Sequence, residues 1–244
     1  MAPEILWILS AGVFVVATLY SSVGHAGASG YIAVMSLLSV APAEIRPIAL
    51  TLNILVASIG TWQFWRAGHF SWALFWPFAL LSLPAAFVGG YLNLPTQVFK
   101  ILVGLVLLFS AGQFLLRPPA EGDPRQPPTL AAVGLGGGLG LLSGLTGTGG
   151  GIFLTPLLIL AGWARTKSAA AVSAPFILLN SVSGLLGNLS ATKTFPAFGI
   201  GLLIAALAGG SIGSYFGSHR LPHTAIKRLL AIVLCIAGFK LILT

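Results

Sequence analysis

Apolar stretches follow one another along almost the whole chain, separated by glycine clusters and short polar turns. They fall at about 5–21, 30–40, 47–65, 72–92 and 99–116, then at about 130–145, 151–163, 168–189, 196–216 and 226–244. Runs of about 17–22 residues are long enough as helices to cross a hydrocarbon core of about 30 Å. The strict apolar–polar alternation of a transmembrane barrel is absent, so the pattern predicts an all-α, polytopic transmembrane helical bundle.

One hydrophilic, proline-rich break, Arg117 to Pro128, divides the chain near its middle. It sets the expected organisation: a first transmembrane repeat over 1–117, a linker over 118–129 and a second repeat over 130–244. The repeats resemble each other. Ser21 to Ile32 aligns with Ser143 to Ile152, and Tyr91-Leu92, Leu94-Pro95-Thr96 and Lys100 answer Tyr215-Phe216, Leu221-Pro222-His223 and Lys227. The first two pieces of each half are short and glycine-flanked, either half-helices meeting inside the membrane or short full spans. Both options return the chain to its starting side and leave an odd number of crossings per half. That predicts inverted repeats, an architecture common among secondary transporters.

Composition strengthens the membrane reading. The chain has 244 residues, 57% hydrophobic and 7% charged, where a soluble domain carries roughly 25% charge. The net charge of +8 is dispersed over short loops rather than gathered in a stripe. It reads as topology signals and anionic headgroup contacts, and nucleic acid is not an expected partner. Arg66, Arg117, Arg125, Arg165, Lys167, Arg220, Lys227 and Arg228 fall on one side, against Arg46, Lys100, Lys193 and Lys240 on the other. The richer side is expected to be cytoplasmic, leaving both termini periplasmic. The first apolar stretch lacks a basic lead and reads as a membrane segment, not a cleaved signal. Cys235 stands alone within an apolar run, so no disulfide or thiolate site is expected.

The acidic residues Glu4, Glu44, Glu121 and Asp123 all lie at the terminus or in loops. Ion-driven cation carriers and proton pumps generally place carboxylates at membrane depth. An anion is easier to accommodate, because glycine amides, hydroxyls and helix N-termini offer partial positive charge. The two glycine-rich segments supply such groups: Ser22, Gly24, His25, Gly27 and Ser29 in the first, and Thr146, Gly147, Thr148, Gly149 and Gly150 in the second. The competing reading of these glycines is tight helix packing. His25 is the one histidine within an apolar stretch, a group able to bind an anion when protonated or to pass a proton, or else a packing residue. Thr51, Asn53, Ser173 and Asn180 complete the candidate substrate-binding set; amides at membrane depth must point inward. Arg46 fits pairing with Glu44 or lipid headgroups better than ligation. Trp62, Trp65, Trp72 and Trp76 flank the Arg66 loop as interfacial anchors.

Ser21 to Gly30 with Ala49-Leu50-Thr51, and Ser143 to Gly151 with Ala169-Ala170-Ala171-Val172-Ser173, resemble the TauE/SafE (sulfite exporter) family of membrane anion permeases. The resemblance covers essentially the whole chain; His25 departs from the commoner glycine-rich pattern. It implies a bacterial inner-membrane permease for a small organic or sulfur-containing anion such as sulfite, a sulfonate or sulfoacetate. The expectation is a secondary transporter working by alternating access, with a proton as candidate coupling ion. The alternatives are a passive anion channel and, more weakly, a carrier of another solute or a metal cation. No enzymatic arrangement, catalytic residue, cofactor or metal-ligand set is expected. The expected partners are the small anion and the lipid bilayer, with homo-oligomerisation allowed.

Overall fold

Glycine and proline decide where helices start, stop and touch in this chain. The computed structural model describes residues 3–22, 25–92, 94–116, 124–193 and 199–219, with 235, 236, 238, 239, 242 and 243. Among them are nine helices: α1 (Pro3–Ser22), α2 (Ala28–Leu37), α3 (Pro42–Arg66), α4 (Trp72–Tyr91), α5 (Thr96–Leu116), α6 (Thr129–Thr146), α7 (Gly151–Leu160), α8 (Thr166–Thr192) and α9 (Ile200–His219). The predicted pieces correspond to these one by one. The tenth, 226–244, lies mostly outside the described residues, as do Leu221, Pro222, His223 and Lys227 of the second internal match.

Five of the described helices (α1, α3, α4, α6 and α8) are long and apolar enough to cross a membrane. Large apolar side chains stay exposed on the outside, among them Trp7, Leu80, Leu105, Leu130 and Ile204; on a membrane protein this surface meets lipid. Trp62, Trp65, Trp72 and Trp76 are exposed too, and the Arg66 guanidinium carbon sits 5.8 Å from the Trp62 ring centre.

By contrast, α2 and α7 have ten residues each, about 15 Å at 1.5 Å per residue, half the hydrocarbon thickness. Neither option the sequence leaves for the first two pieces of each half holds as stated: the first pieces, α1 and α6, are long enough to span, and only the second pieces, α2 and α7, are half-length. The α2 helix doubles back on α1: a Cβ added at Gly30 would strike Val16 and Tyr20, and one at Gly12 would strike Val34. The α7 helix runs against α8, with Gly151 on Ile177 and Thr155 hydrogen-bonded to Ser173.

Backbones approach each other most closely between the halves. Gly136, Gly140 and Gly144, spaced four apart on one face of α6, sit directly on the α4 backbone at Phe78, Ser82 and Ala86. Gly209 and Gly213 of α9 sit likewise on α1 at Phe14 and Thr18. Lipid tails are as apolar as leucine, so helices gain little from hydrophobicity here and associate through such close packing. The first helix of each half therefore packs on the fourth helix of the other. Between them α3 and α8 cross antiparallel, with Gly60 facing Ala174, Asn53 bonded to Ser181, and Leu50 near Gly184.

Candidate functional site

Chain breaks at glycine build the site. After α1 the chain turns at Gly27 (φ 104°), which precedes α2. After α6 it turns at Gly147 (φ 79°), Gly149 (φ 75°) and Gly150 (φ 77°), the last preceding α7. These left-handed values cost an L-residue about 1–2 kcal/mol, and only glycine adopts them freely. The glycines in the two regions thus have separable jobs. Gly136, Gly140 and Gly144 pack helices, whereas Gly27, Gly147, Gly149 and Gly150 bend the chain.

The two breaks meet. Tyr20, His25, Ala26, Gly27, Ala28 and Ser29 from the first, and Thr148 and Ile152 from the second, line one small cavity with Asn53 of α3 and Ile177 of α8. Its volume is about 10 Å³, room for a single water. A second small cavity shares His25 and Ala26, and runs along Ser21, Val56, Ala57, Gly60, Phe64, Ala174 and Ser214. His25 thus forms part of the wall of both. Neither α2 nor α7 has a side-chain cap at its N-terminus, so no side chain of its N-cap residue satisfies the first amides.

Hydrogen bonds fix the lining. Tyr20 and Ser29 are hydrogen-bonded through hydroxyls 2.9 Å apart, and Tyr31 donates to the Ala26 carbonyl at 2.8 Å. Asn53 is fully buried and bridges the halves: its Nδ2 donates to the Thr148 carbonyl and to Ser181 Oγ, each at 3.3 Å. A carbonyl can only accept, so this bond fixes the amide orientation. It leaves Asn53 Oδ1 as a buried acceptor with no hydrogen-bond partner.

Of the residues singled out in the sequence, His25, Gly27, Ser29, Asn53 and Thr148 come together on the cavity. Gly149 presses on Asn53 and Ser181, and Gly150 on Phe176 and Ser143. Thr146 shares a hydrogen bond with Thr148 between hydroxyls 2.9 Å apart, and Gly147 rests on Arg46. The remainder lie off the cavity. Ser22 donates to the Leu19 carbonyl and Thr51 to the Pro47 carbonyl. Ser173 accepts from Thr155, and Asn180 accepts from Ser82 while donating to the Phe176 carbonyl. Gly24 falls outside the described residues.

The family model described as sulfite exporter TauE/SafE matches residues 9–241. The Probable membrane transporter protein y4hK of Sinorhizobium fredii is 41% identical over 239 residues, covering 96% of this chain and 97% of that one. This chain belongs to the sulfite exporter TauE/SafE family. It is a multi-pass membrane transporter of the TauE/SafE type. More distant relatives are the Probable membrane transporter protein YunE of Bacillus subtilis, 24% identical over 68% of each chain, and MJ0441 of Methanocaldococcus jannaschii. The latter carries the same description and is 28% identical over 57% of this chain and 54% of that one. No solved structure matches the chain.

The lining of this TauE/SafE protein also includes groups that sequence reasoning passed over. Tyr20 is one, hydrogen-bonded to Ser29 nine residues away across a break, and no helical or strand period marks it. Ile152 and Ile177 close the cavity as plain apolar residues. Arg46, off the cavity, departs from the pairing with Glu44 or headgroups that the sequence suggested. It is buried instead of reaching headgroups, and its Nη1 donates to the Leu92 carbonyl at 3.0 Å. The Asn188 amide, oriented by its neighbours, places Oδ1 2.6 Å from Arg46 Nη2 and 3.3 Å from Nε. The Ala43-Glu44-Ile45-Arg46-Pro47 context suggested a local carboxylate, but Glu44 is exposed.

Proposed function

We propose that the chain carries a small anion, of the sulfite or organosulfonate class, across the bacterial inner membrane by alternating access, with the cavity between the two breaks as its binding site. One observation carries this reading: two half-helices without side-chain caps, one from each half, begin beside the same small cavity. A helix N-terminus presents unpaired amides and about half a positive charge, and two of them on one cavity favour an anion without a titrating ligand. His25 and the Ser29 hydroxyl add donors, and Asn53 Oδ1 adds an acceptor. That mixture suits a singly protonated oxyanion better than a fully ionised one.

The halves act as inverted repeats in this scheme. Support comes from the antiparallel crossing of α3 and α8, and from the reciprocal pairing of α1 with α9 and α6 with α4. The amide of Arg125 donates to the Gly162 carbonyl, which puts Arg125 on the same side as Arg165 and Lys167. We take that side as cytoplasmic. His25, in the wall of two cavities, is the candidate proton carrier.

The small volume of the cavity, room for a single water, favours a carrier over a standing pore. Uptake by proteoliposomes of sulfite, methanesulfonate, sulfoacetate, sulfate and thiosulfate, with and without a pH gradient, tests the proposal. Saturable flux of one of these, accelerated by the same anion on the far side, is the expected result. Single-channel currents would exclude alternating access, and no flux of any of them would sink the anion reading.

A further inference from the structure

One face of α3 runs from the cavity between the breaks towards a basic end of the molecule. Asn53, Ala57, Gly60 and Phe64 follow one another at intervals of four, three and four residues, the spacing that keeps side chains on one side of a helix. Asn53 lines the cavity between the breaks. The other three line the second cavity, which shares His25 and Ala26 with the first. Burial falls along this face: Asn53 and Ala57 are buried, Gly60 and Phe64 are partly exposed, and Arg66 just beyond them is exposed. Opposite Gly60 stands Ala174 of antiparallel α8, whose amino-terminal end brings exposed Arg165 and Lys167 to the same end as Arg66.

Gly60 does neither of the two jobs, close packing and chain turning, that other glycines do here. A Cβ at Gly60 would meet only the Ala174 Cβ, at 3.7 Å, an ordinary contact, and its φ lies outside the left-handed region. Glycine inside a helix costs about 0.5–1 kcal/mol relative to alanine. What the missing side chain provides is space beside Ala174. A polar atom indicates what uses that space: Ser21 is 5% exposed, lines the second cavity, and its Oγ has no hydrogen-bond partner in the protein. A buried hydroxyl left so costs about 1–3 kcal/mol, which a water or an anion oxygen in the cavity offsets. We propose that this seam between α3 and α8, from His25 past Ser21 and Gly60 to Phe64, is the path by which the anion enters or leaves its site on the α3 carboxyl-terminal side. This inference rests on the anion-transport reading. The cavity along the seam has a volume of about 10 Å³, room for a single water, so passage of an anion requires α3 and α8 to part there. Glycine facing alanine leaves the fewest atoms to move aside.

Thiol labelling of the full chain tests the path without relying on flux. With Cys235→Ala as background, Gly60→Cys is compared with Ser58→Cys in proteoliposomes. Ser58 is exposed on the opposite side of α3, where lipid meets it. The probe is the membrane-impermeant anion sulfonatoethyl methanethiosulfonate, present on both sides of the membrane. A thiol reacts as its thiolate, which apolar surroundings disfavour, so Gly60→Cys should label at least about tenfold faster than Ser58→Cys. Gly60→Leu, which fills the seam, should elute like the wild type on size-exclusion chromatography. It should also lose uptake of whichever of sulfite, methanesulfonate or sulfoacetate the wild type moves. Equal labelling rates in the native protein, with both thiols reactive after denaturation, overturn the proposal, as does wild-type uptake by Gly60→Leu. Where Gly60→Leu does not assemble, the labelling decides alone. Fast labelling of Gly60→Cys combined with no flux by the wild type supports an aqueous path along the seam and overturns the anion-transport reading instead.

Discussion

Substituting Gly149 by alanine isolates the crowding at the site from the cost of a left-handed backbone. Gly149 and Gly162 have nearly the same φ, 75° and 67°, but a Cβ at Gly162 meets nothing within 4 Å. At Gly149 it would come to 2.5 Å from Asn53 Nδ2, 2.8 Å from Ile177 Cγ2 and 2.9 Å from Ser181 Oγ. Both variants carry the conformational cost of about 1–2 kcal/mol, so that term cancels in the comparison. Forcing a methyl into a filled site adds about 1–3 kcal/mol. Pushing Asn53 off the Thr148 carbonyl strands a buried acceptor, worth about 1–3 kcal/mol more. At about 2–4 °C per kcal/mol for a chain of this size, Gly149→Ala should unfold at least about 4 °C below Gly162→Ala in one detergent. It should also lose transport that Gly162→Ala retains. Equal midpoints and equal flux would refute the assignment of Asn53, Ser181 and Gly149 to one tightly packed junction.

Three further outcomes are expected. Asn53→Asp removes the donor to Thr148 and places a carboxylate on the cavity, so initial rates of sulfite uptake should fall more than about tenfold by the like-charge penalty; an unchanged rate would remove Asn53 from the site. Gly140→Ala drives a methyl into the Ser82 backbone and should sharply lower the folded yield on size-exclusion chromatography. Gly138→Ala, which faces open space, should leave that yield unchanged or gain up to about 1 kcal/mol in helix propensity. His25→Gln should abolish the stimulation of uptake by an imposed pH gradient while leaving exchange at equal pH measurable; retained stimulation would place the proton elsewhere.

The helices were legible because apolar length is a strong signal. Each of α1 to α9 lies within a few residues of an apolar piece in the sequence, and the glycine clusters mark the turns at Gly27 and at Gly147 to Gly150. Half of the cavity was readable for the same reason, since hydroxyls beside a glycine break must line something if the break is buried. What could not be read was pairing across the chain. Asn53 reaches Ser181 over 128 positions and Arg46 reaches Leu92 over 46, and no local pattern encodes such distances. Arg46 misled because an adjacent acid, Glu44, offered a local partner, whereas the structure turns the side chain towards a helix C-terminus. Ser173 and Asn180 show the converse: inward-pointing polar residues that serve other helix contacts, with Thr155 and Ser82, away from the cavity.

The reciprocal seating of α1 on α9 and of α4 on α6 has a consequence for how the protein is made. During synthesis α1 leaves the ribosome long before α9 exists, so the face that will receive Gly209 and Gly213 must wait in the bilayer without its mate. The α4 face, in contrast, meets α6 after only α5 and the linker have passed. The carboxyl-terminal half should therefore act as the closing piece, and a chain halted before α9 should persist as an open half-assembly exposed to membrane proteases. Supplying the two halves as separate polypeptides should restore the bundle, because the closest backbone contacts are made between them.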